Sequence, residues 1–233
     1  EVELTFGERL RLFGGEFASL AVSAPKMVLY RLLVRDPPPA PAALPVLLLH
    51  GVGCNAGVWT GLKRHLETEG LGPVYALSYG PPLASIDSFA PQVAAKIAQI
   101  ASDTGAARVA IVCHSMGGLV ARAYLRRYGG TRVQRLVTIG TPHAGSLHAW
   151  MMHGQSLADM RPRSEFLEAI NASTDHLDGV PVVSLWSWHD SMVAPQTSAR
   201  LENARNVELA GVGHNALLTD PEVARRVVEE LKR

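Results

Sequence analysis

One stretch decides the fold of this chain: Val109-Ala110-Ile111-Val112-Cys113-His114-Ser115-Met116-Gly117-Gly118. Its apolar, β-branched first half is typical of a strand that is covered on both faces of a sheet. The run stops at Ser115, and the next residues, Leu119-Val120-Ala121-Arg122, are typical of a helix. The sequence therefore predicts a strand, a sharp turn and a helix, with Ser115 at the apex of the turn.

The turn at Ser115 has the layout of a nucleophile elbow. In such a turn the serine backbone is strained, and small neighbours such as Gly117 are needed to accommodate it. The usual pattern is G-x-S-x-G, and here Cys113, a small side chain, stands at the first glycine position. The first N–H groups of the helix, including that of Met116, are expected to face any negative charge that develops beside Ser115. The alternative is an ordinary strand-to-helix turn with a capping serine.

Length and composition favour one α/β domain. A chain of 233 residues is long enough to bury a large core without a second domain. With 18% charged residues and a net charge of +1, the sequence indicates neither disorder nor binding to nucleic acid. Two cysteines make no disulfide framework, and no Cys/His cluster has metal-ligand spacing, so no cofactor or metal is predicted.

The chain divides at a stiff, extended, proline-rich connector, Asp36-Pro37-Pro38-Pro39-Ala40-Pro41. Residues 1–40 are predicted to pack on the core or to lie close to a membrane, and residues 41–233 to form the main domain. Because the chain begins at Glu1 rather than at a methionine, we expect a mature or trimmed form. Cytoplasmic, membrane-associated and secreted locations therefore all stay open.

The N-terminal residues contain two apolar segments. Residues 1–15 alternate poorly and end in two glycines, which is compatible with a short edge strand or an amphipathic opening. Residues 17–34 are interrupted by a proline and by Lys26 and Arg31, and they are too broken and too short to span a membrane. A helix that covers one face of the sheet is favoured, and peripheral contact with a membrane or lipid surface is the alternative.

Strands and helices alternate ahead of the serine turn. Strands are predicted over 45–50 and 74–79 from continuous apolar runs, and helices over 57–69 and 85–102. This alternation predicts a mostly parallel sheet with crossover helices. The glycine-containing loop after the first strand, His50-Gly51-Val52-Gly53, is expected to present the N–H group of Val52 to an oxyanion.

Residues 147–179 lack a strand pattern and are predicted to form a small helical cap. They follow a strand predicted over 133–139 and its loop, 140–146. Methionine side chains adapt to flexible apolar partners, so the cap is expected to line a groove for an apolar substrate. The residues predicted to contact substrate are Trp150, Met151, Met152 and Met160. The alternative is that these side chains only seal the core.

An acid and a histidine follow the last two predicted strands, 180–186 and 206–209. Asp190 comes after the first of these strands and His214 after the second, and the order serine, acid, histidine is that of a catalytic triad on successive strands. In that chemistry His214 takes the proton of Ser115, and Asp190 fixes the imidazole tautomer and stabilises the imidazolium. The rivals that fit less well are His114, His143, His189, Asp175, Asp178 and Asp220.

Over about residues 45–232, the chain resembles α/β-hydrolases of the bacterial true-lipase and esterase type. The resemblance rests on His50-Gly51-Val52-Gly53, Cys113-His114-Ser115-Met116-Gly117-Gly118, Gly140-Thr141-Pro142-His143-Ala144-Gly145-Ser146, the Asp190 turn through Val193-Ala194-Pro195, and Gly213-His214. It implies a mostly parallel sheet of about eight strands, flanked by helices, and hydrolysis of carboxylic esters through an acyl-enzyme. It also implies an oxyanion hole made by the N–H groups of Val52 and Met116. The segment after His214 lacks the aspartate that looks like a calcium ligand in some lipases of this type, so no required metal is inferred.

The predicted function is that of a carboxylic ester hydrolase, of the carboxylesterase or triacylglycerol lipase type, which cleaves apolar acyl esters. The predicted partner is a small-molecule or lipid ester. One alternative is acyl transfer to an alcohol other than water, which the same acyl-enzyme permits. The other is a module that binds a ligand without turning it over, against which the complete triad and both oxyanion candidates argue.

Overall fold

The computed structural model describes residues 2–177 and 179–233. The strands in this part of the chain are β1 (Val46–Leu49), β2 (Val74–Leu77), β3 (Val109–His114), β4 (Val133–Ile139), β5 (Val182–Ser187) and β6 (Arg205–Leu209). They form one sheet in the order β2-β1-β3-β4-β5-β6, and every neighbouring pair is parallel. The predicted mostly parallel sheet is confirmed. The resemblance implied about eight strands, whereas the described residues form a sheet of six.

The crossover helices lie where the apolar periodicity predicts them. The helices of the described part are α1 (Phe6–Val28), α2 (Tyr30–Leu33), α3 (Thr60–Thr68), α4 (Ala90–Thr104), α5 (Met116–Tyr128), α6 (Gln155–Asp159), α7 (Glu165–Asn171) and α8 (Pro221–Leu231). The helices predicted over 57–69 and 85–102 are confirmed as α3 and α4, each preceded by a 3₁₀ turn, Ala56–Trp59 and Ile86–Phe89.

The inner strands β1, β3 and β5 are buried on both faces, which explains why apolar residues dominate them. Successive residues of β3 point to opposite faces, so Ile111 packs with the cluster under α4 and α5, and Val112 with the cluster under α3 and α8. Because all strands are parallel, the loops after β1, β3, β5 and β6 meet at one edge of the sheet, as is usual for ligand sites in such folds. We call this edge the catalytic edge.

Residues 6–28 form α1, so the edge strand considered for residues 1–15 is wrong. A capping box starts the helix: Glu8 N–H donates to Thr5 Oγ1 at 3.3 Å, and Thr5 N–H donates to Glu8 Oε2 at 2.8 Å. The main contacts of α1 are with the 3₁₀ turns Ala56–Trp59 and Ala216–Leu218 at the catalytic edge, rather than with a face of the sheet. Across residues 2–177 and 179–233, no helix is both long and apolar enough to cross a bilayer.

The predicted cap segment folds beside the catalytic edge. It contains α6, α7 and the short 3₁₀ turns Leu147–Trp150 and Asp175–Leu177. Buried side chains such as Leu157 and Phe166 join it to the apolar cluster that α4 and α5 cover. Asp178, one of the rival acids, lies outside the described residues.

Candidate active site

Ser115 lies at the apex of a strained turn between β3 and α5. Its φ of 54° and ψ of −127° are values that a non-glycine residue rarely adopts. Three hydrogen bonds hold its backbone: Ser115 N–H donates to the carbonyl of Ile139 at 2.8 Å, and its carbonyl accepts from Gly118 N–H at 3.1 Å and from Thr141 Oγ1 at 2.8 Å. Hydrogen bonds with β4, with the loop after β4 and with α5 therefore hold the backbone of the elbow in place.

The elbow also depends on small residues around Ser115. A Cβ atom at Gly117 would overlap the carbonyl oxygen of Leu49 in β1, so α5 approaches this strand as closely as only glycine permits. Cys113, at the first motif position, is fully buried within β3. Burial raises the pKa of its thiol well above the ordinary value, so it packs as a small neutral side chain.

Asp190 and His214 form a buried pair. His214 Nδ1 lies 2.8 Å from Asp190 Oδ2, and both residues are almost completely excluded from solvent. The other carboxylate oxygen accepts from the N–H groups of Met192 and Val193 at 2.8 and 2.9 Å. Burial raises the pKa of Asp190, but His214 and these two N–H groups lower it by more, so the net pKa lies below its usual value. The carboxylate thus stays ionised and orients the imidazole.

Three other buried histidines at this edge are neutral near pH 7. Burial lowers the pKa of His50 to about 4 and that of His114 to about 3. Burial and the nearby guanidinium of Arg122 lower the pKa of His143 well below its usual value. His114 Nε2 lies 3.0 Å from the carbonyl oxygen of His214, so it braces the loop of the candidate base.

The remaining rivals have other positions. His189 Nδ1 accepts from Gly211 N–H at 3.0 Å, at the side of the loop that carries His214. Asp220 caps α8, where its Oδ1 accepts from two backbone N–H groups of the first turn. Asp175 begins a 3₁₀ turn and does not line the cavity that contains Ser115.

The two candidate oxyanion donors flank Ser115. Val52 follows β1 and lines the same cavity as Ser115. Within the described residues, the Val52 N–H group donates no backbone hydrogen bond. Met116 is the first residue of α5, where backbone N–H groups have no partner inside the helix. Both N–H groups therefore remain the candidates for the oxyanion hole.

A cavity of about 640 Å³, counting the space that opens to solvent, contains both Ser115 and His214. Apolar side chains form much of its wall, and they include Ala149, Met152, Leu157, Met160 and Val193. Of the four residues predicted to contact substrate, Met152 and Met160 line this cavity.

Trp150 and Met151, the other two residues predicted to contact substrate, do not line the cavity. Their side chains are 60% and 77% exposed to solvent. Trp150 is the last residue of the 3₁₀ turn and Met151 follows it, and the Arg161 guanidinium lies 4.4 Å from the centre of the Trp150 ring. A sequence pattern with several methionines and a tryptophan does not reveal which of them point inward.

Comparison with known families identifies the family to which the chain belongs. The family model described as palmitoyl protein thioesterase matches residues 45–170, more than half of the sequence. The chain belongs to this family. The matched residues include the elbow and the oxyanion loop, whereas Asp190 and His214 lie beyond them and rest on the geometry given above.

Two triacylglycerol lipases are similar to part of the chain. Those of Pseudarthrobacter phenanthrenivorans and Burkholderia plantarii are each 32% identical to it over 114 residues, which cover 44% of this chain. The aligned part is 34% of the first lipase and 30% of the second, so the chain spans about a third of the length of these curated relatives.

Among solved structures, the mature lipase BlEst2 of Bacillus licheniformis has the same fold, with a TM-score of 0.72 at 18% identity. The match covers 84% of this chain and 95% of that lipase. The predicted class, an α/β-hydrolase of the lipase and esterase type, is confirmed. The family and the two lipases also support the predicted ester hydrolysis.

Sequence reasoning missed several residues that support the site. Thr141 lies in the loop motif of residues 140–146, but the sequence does not show its hydrogen bond to the Ser115 carbonyl. Glu16 and Ser19 of α1 contact the residue after His214, about two hundred positions away along the chain, and no local pattern indicates this.

Among the residues that the structure describes, no group of three or more His, Cys, Asp or Glu side chains is arranged to hold a metal ion.

Proposed function

We propose that the chain hydrolyses carboxylic esters of apolar acids through an acyl-enzyme on Ser115. One observation carries this proposal: the strained Ser115 shares a largely apolar cavity with His214, whose Nδ1 is held by the buried carboxylate of Asp190. Because Nδ1 is occupied by Asp190, Nε2 is the ring nitrogen left for Ser115.

The proposed reaction follows from these positions. His214 Nε2 takes the hydroxyl proton as Ser115 Oγ attacks the ester carbonyl carbon, and Asp190 stabilises the imidazolium that forms. The carbonyl oxygen becomes an oxyanion, which the N–H groups of Val52 and Met116 stabilise. The intermediate then expels the alcohol, which takes the proton from His214. Water attacks the acyl-serine in the same way and releases the acid.

The apolar side of the cavity is the proposed site of the acyl chain. Met152 and Met160 lie in its wall, where flexible thioether side chains adapt to a flexible chain. Trp150 and Met151 are proposed to meet only the part of a long chain that extends past the mouth, because they are exposed outside the cavity.

We also propose peripheral contact with a lipid surface, through an apolar stripe on α1. The stripe consists of side chains at helical spacing that are more than half exposed: Phe6, Leu10, Phe13, Phe17 and Leu20. Exposed apolar stripes of this size are typical of interfacial helices. The exposed Trp150 and Met151 add apolar surface beside the cavity.

Vesicle binding tests the lipid contact. A double change of Phe13 and Phe17 to Ser should lower co-sedimentation with phospholipid vesicles while leaving the hydrolysis of a soluble short-chain ester unchanged. Tyr128→Ser, which removes a 44% exposed aromatic side chain at the end of α5, serves as the control and should bind vesicles like the wild type. Equal binding by all three proteins would contradict the contact.

A thioester is the second candidate substrate, because the chain belongs to a family described as palmitoyl protein thioesterase. The same acyl-enzyme forms from an oxyester or a thioester, and only the leaving group differs. A panel of p-nitrophenyl esters of rising chain length, beside the matching thioesters, tests both. Turnover of acyl oxyesters that is abolished in Ser115→Ala supports the proposal. A preference for thioesters would favour the second candidate, and hydrolysis of neither would contradict both.

A further inference from the structure

Helix α1 holds the residue that follows the candidate base. Glu16 Oε1 accepts from the backbone N–H group of Asn215 at 2.9 Å, and Glu16 Oε2 accepts from the side-chain amide of Asn215 at 2.9 Å. Ser19, which is buried, donates its hydroxyl to the carbonyl oxygen of Asn215 at 2.6 Å. Side chains of α1 thus bind the backbone N–H group, the backbone carbonyl and the side-chain amide of Asn215.

The contact extends to both sides of His214. A Cβ atom at Gly213 would overlap the carboxylate of Glu16, so a side chain directly before the base would displace Glu16 from its present position. Directly after Asn215, the N–H group of Ala216 lies 3.4 Å from Glu16 Oε1. The Glu16 carboxylate therefore contacts the chain before and after His214.

The loop of His214 needs such support because of its place in the sheet. It follows β6, which is one of the two edge strands of the described sheet and is only partly buried. The pairs made by His214 with Asp190 and with His114 hold the loop from inside the site. On its outer side, Glu16 and Ser19 supply the hydrogen bonds described above, and a charged acceptor makes stronger bonds than a neutral one.

The far end of α1 contacts the oxyanion loop. Asn55 Nδ2 donates to the carbonyl of Met27 at 2.9 Å. A Cβ atom at Gly57 would overlap the carbonyl oxygen of Lys26, so the backbones lie in close contact here as well. One helix outside the matched family region, residues 45–170, thus contacts the loops of both the base and the oxyanion donor Val52.

We propose that Glu16 is a positioning residue, which acts through Asn215 to hold His214 in place beside Ser115. This proposal rests on the proposed function. Glu16 does not line the cavity, so it does not touch a bound substrate. Its loss should therefore misplace the base and lower kcat, while KM changes little, because a small displacement of a catalytic group lowers the rate steeply.

The test compares single variants with a pair that reverses the donor and the acceptor. Glu16→Ala removes the carboxylate, and Asn215→Asp sets two carboxylates against each other. Combining Glu16→Gln with Asn215→Asp restores a side-chain hydrogen bond with its direction reversed, and the glutamine oxygen still accepts from the backbone N–H group. Glu8→Ala is the control, because it weakens the start of α1 through the capping box without touching the loop.

Each variant is assayed for kcat and KM on p-nitrophenyl butyrate, for the rate of Ser115 labelling by a fluorophosphonate, and for its melting temperature. We expect Glu16→Ala and Asn215→Asp to lower kcat and the labelling rate by about ten- to a hundredfold. KM should stay within about twofold of wild type in Glu16→Ala, whereas Asn215 lines the cavity and its replacement by Asp changes KM as well. The reversed pair should recover to within about threefold of wild type, and Glu8→Ala should keep the wild-type kcat.

Three results would overturn the positioning role. They are an unchanged kcat in Glu16→Ala, a reversed pair no more active than Asn215→Asp alone, and an equal loss of kcat in Glu8→Ala. The reversed pair keeps the test valid even if Glu16→Ala does not fold. A wild-type protein in which the fluorophosphonate leaves Ser115 unlabelled would instead reject the proposed function, and the positioning role with it.

Discussion

Thr141 holds the strained backbone of Ser115 through a hydrogen bond from its Oγ1 to the Ser115 carbonyl oxygen, 2.8 Å long and fully buried. The bond joins the loop after β4 to the elbow after β3. Since Ser115 has a φ of 54°, a conformation that persists only where its surroundings enforce it, the loop is part of what places the nucleophile.

The first expectation concerns this bond. Thr141→Val keeps the shape of the side chain but removes the donor, so the Ser115 carbonyl keeps only its bond from Gly118 N–H. We expect kcat to fall by about tenfold and the free energy of unfolding to fall by about 1 kcal/mol. Thr141→Ser, which keeps the hydroxyl, is the control and should retain most of the activity. Steady-state kinetics and urea unfolding measure both, and a fully active Thr141→Val would contradict the role of the bond.

The second expectation concerns the tautomer of His214. In Asp190→Asn, the amide oxygen still accepts from the N–H groups of Met192 and Val193, so the loop keeps its hydrogen bonds. The amide nitrogen, however, donates to His214 Nδ1 and places the proton on Nε2, where it blocks the transfer from Ser115. We expect kcat to fall by about 10⁴-fold with little change in melting temperature. A variant with kcat within tenfold of wild type would show that Asp190 is not the orienting acid.

The third expectation concerns stability in acid. Burial lowers the pKa of His50 to about 4, below its ordinary value of 6.5, so between these pH values the unfolded chain binds a proton that the folded protein does not. The free energy of unfolding therefore falls as the pH falls through this window, by about 2 kcal/mol from His50 between pH 7.5 and pH 5.

His50→Phe tests that contribution, because phenylalanine keeps the stacking on Tyr79, whose ring centre lies 4.2 Å away, and does not titrate. Urea unfolding of both proteins at pH 7.5 and pH 5 gives the four free energies that are needed. We expect the variant to lose less stability than the wild type on acidification, whatever its stability at pH 7.5. Equal losses in the two proteins would mean that His50 is not buried in the neutral form.

The fourth expectation concerns acyl-chain length. Met152 lines the cavity and Trp150 does not, although they are close neighbours in the sequence. Each methylene that is buried in the cavity contributes about 0.8 kcal/mol, so Met152→Ala should lower kcat/KM for an eight-carbon ester severalfold more than for a two-carbon ester. Trp150→Ala should leave this ratio unchanged. If Trp150→Ala changes the ratio and Met152→Ala does not, the acyl chain lies outside the cavity.

The sequence predicted the sheet and the candidate triad because both depend on local signals. Apolar runs mark the buried strands β3 and β5 ahead of Ser115 and Asp190, whereas His214 follows β6, an edge strand that is only partly buried. In parallel strands the following loops necessarily meet at one edge, so the order along the chain was enough to bring these residues together.

The remaining features depend on tertiary contacts that no local pattern records. The exposure of Trp150, outside the cavity that Met152 lines, is visible only in the folded structure. The role of α1 at the catalytic edge follows from a single glutamate that meets Asn215. The capping box of Thr5 and Glu8 is a local signal for the start of α1. It favours a helix over the edge strand considered for residues 1–15.

Mapping the site of covalent labelling tests the central claim most directly. The protein is treated with a fluorophosphonate that bears an alkyl chain, digested and analysed by mass spectrometry, with Ser115→Ala treated in parallel. We expect one adduct, on the peptide that contains Ser115, together with loss of ester hydrolysis in step with labelling, and a fall in kcat of about 10⁴-fold or more in Ser115→Ala. Ester hydrolysis that persists in Ser115→Ala, or an adduct on another residue that accounts for the lost activity, would contradict the assignment of Ser115 as the nucleophile.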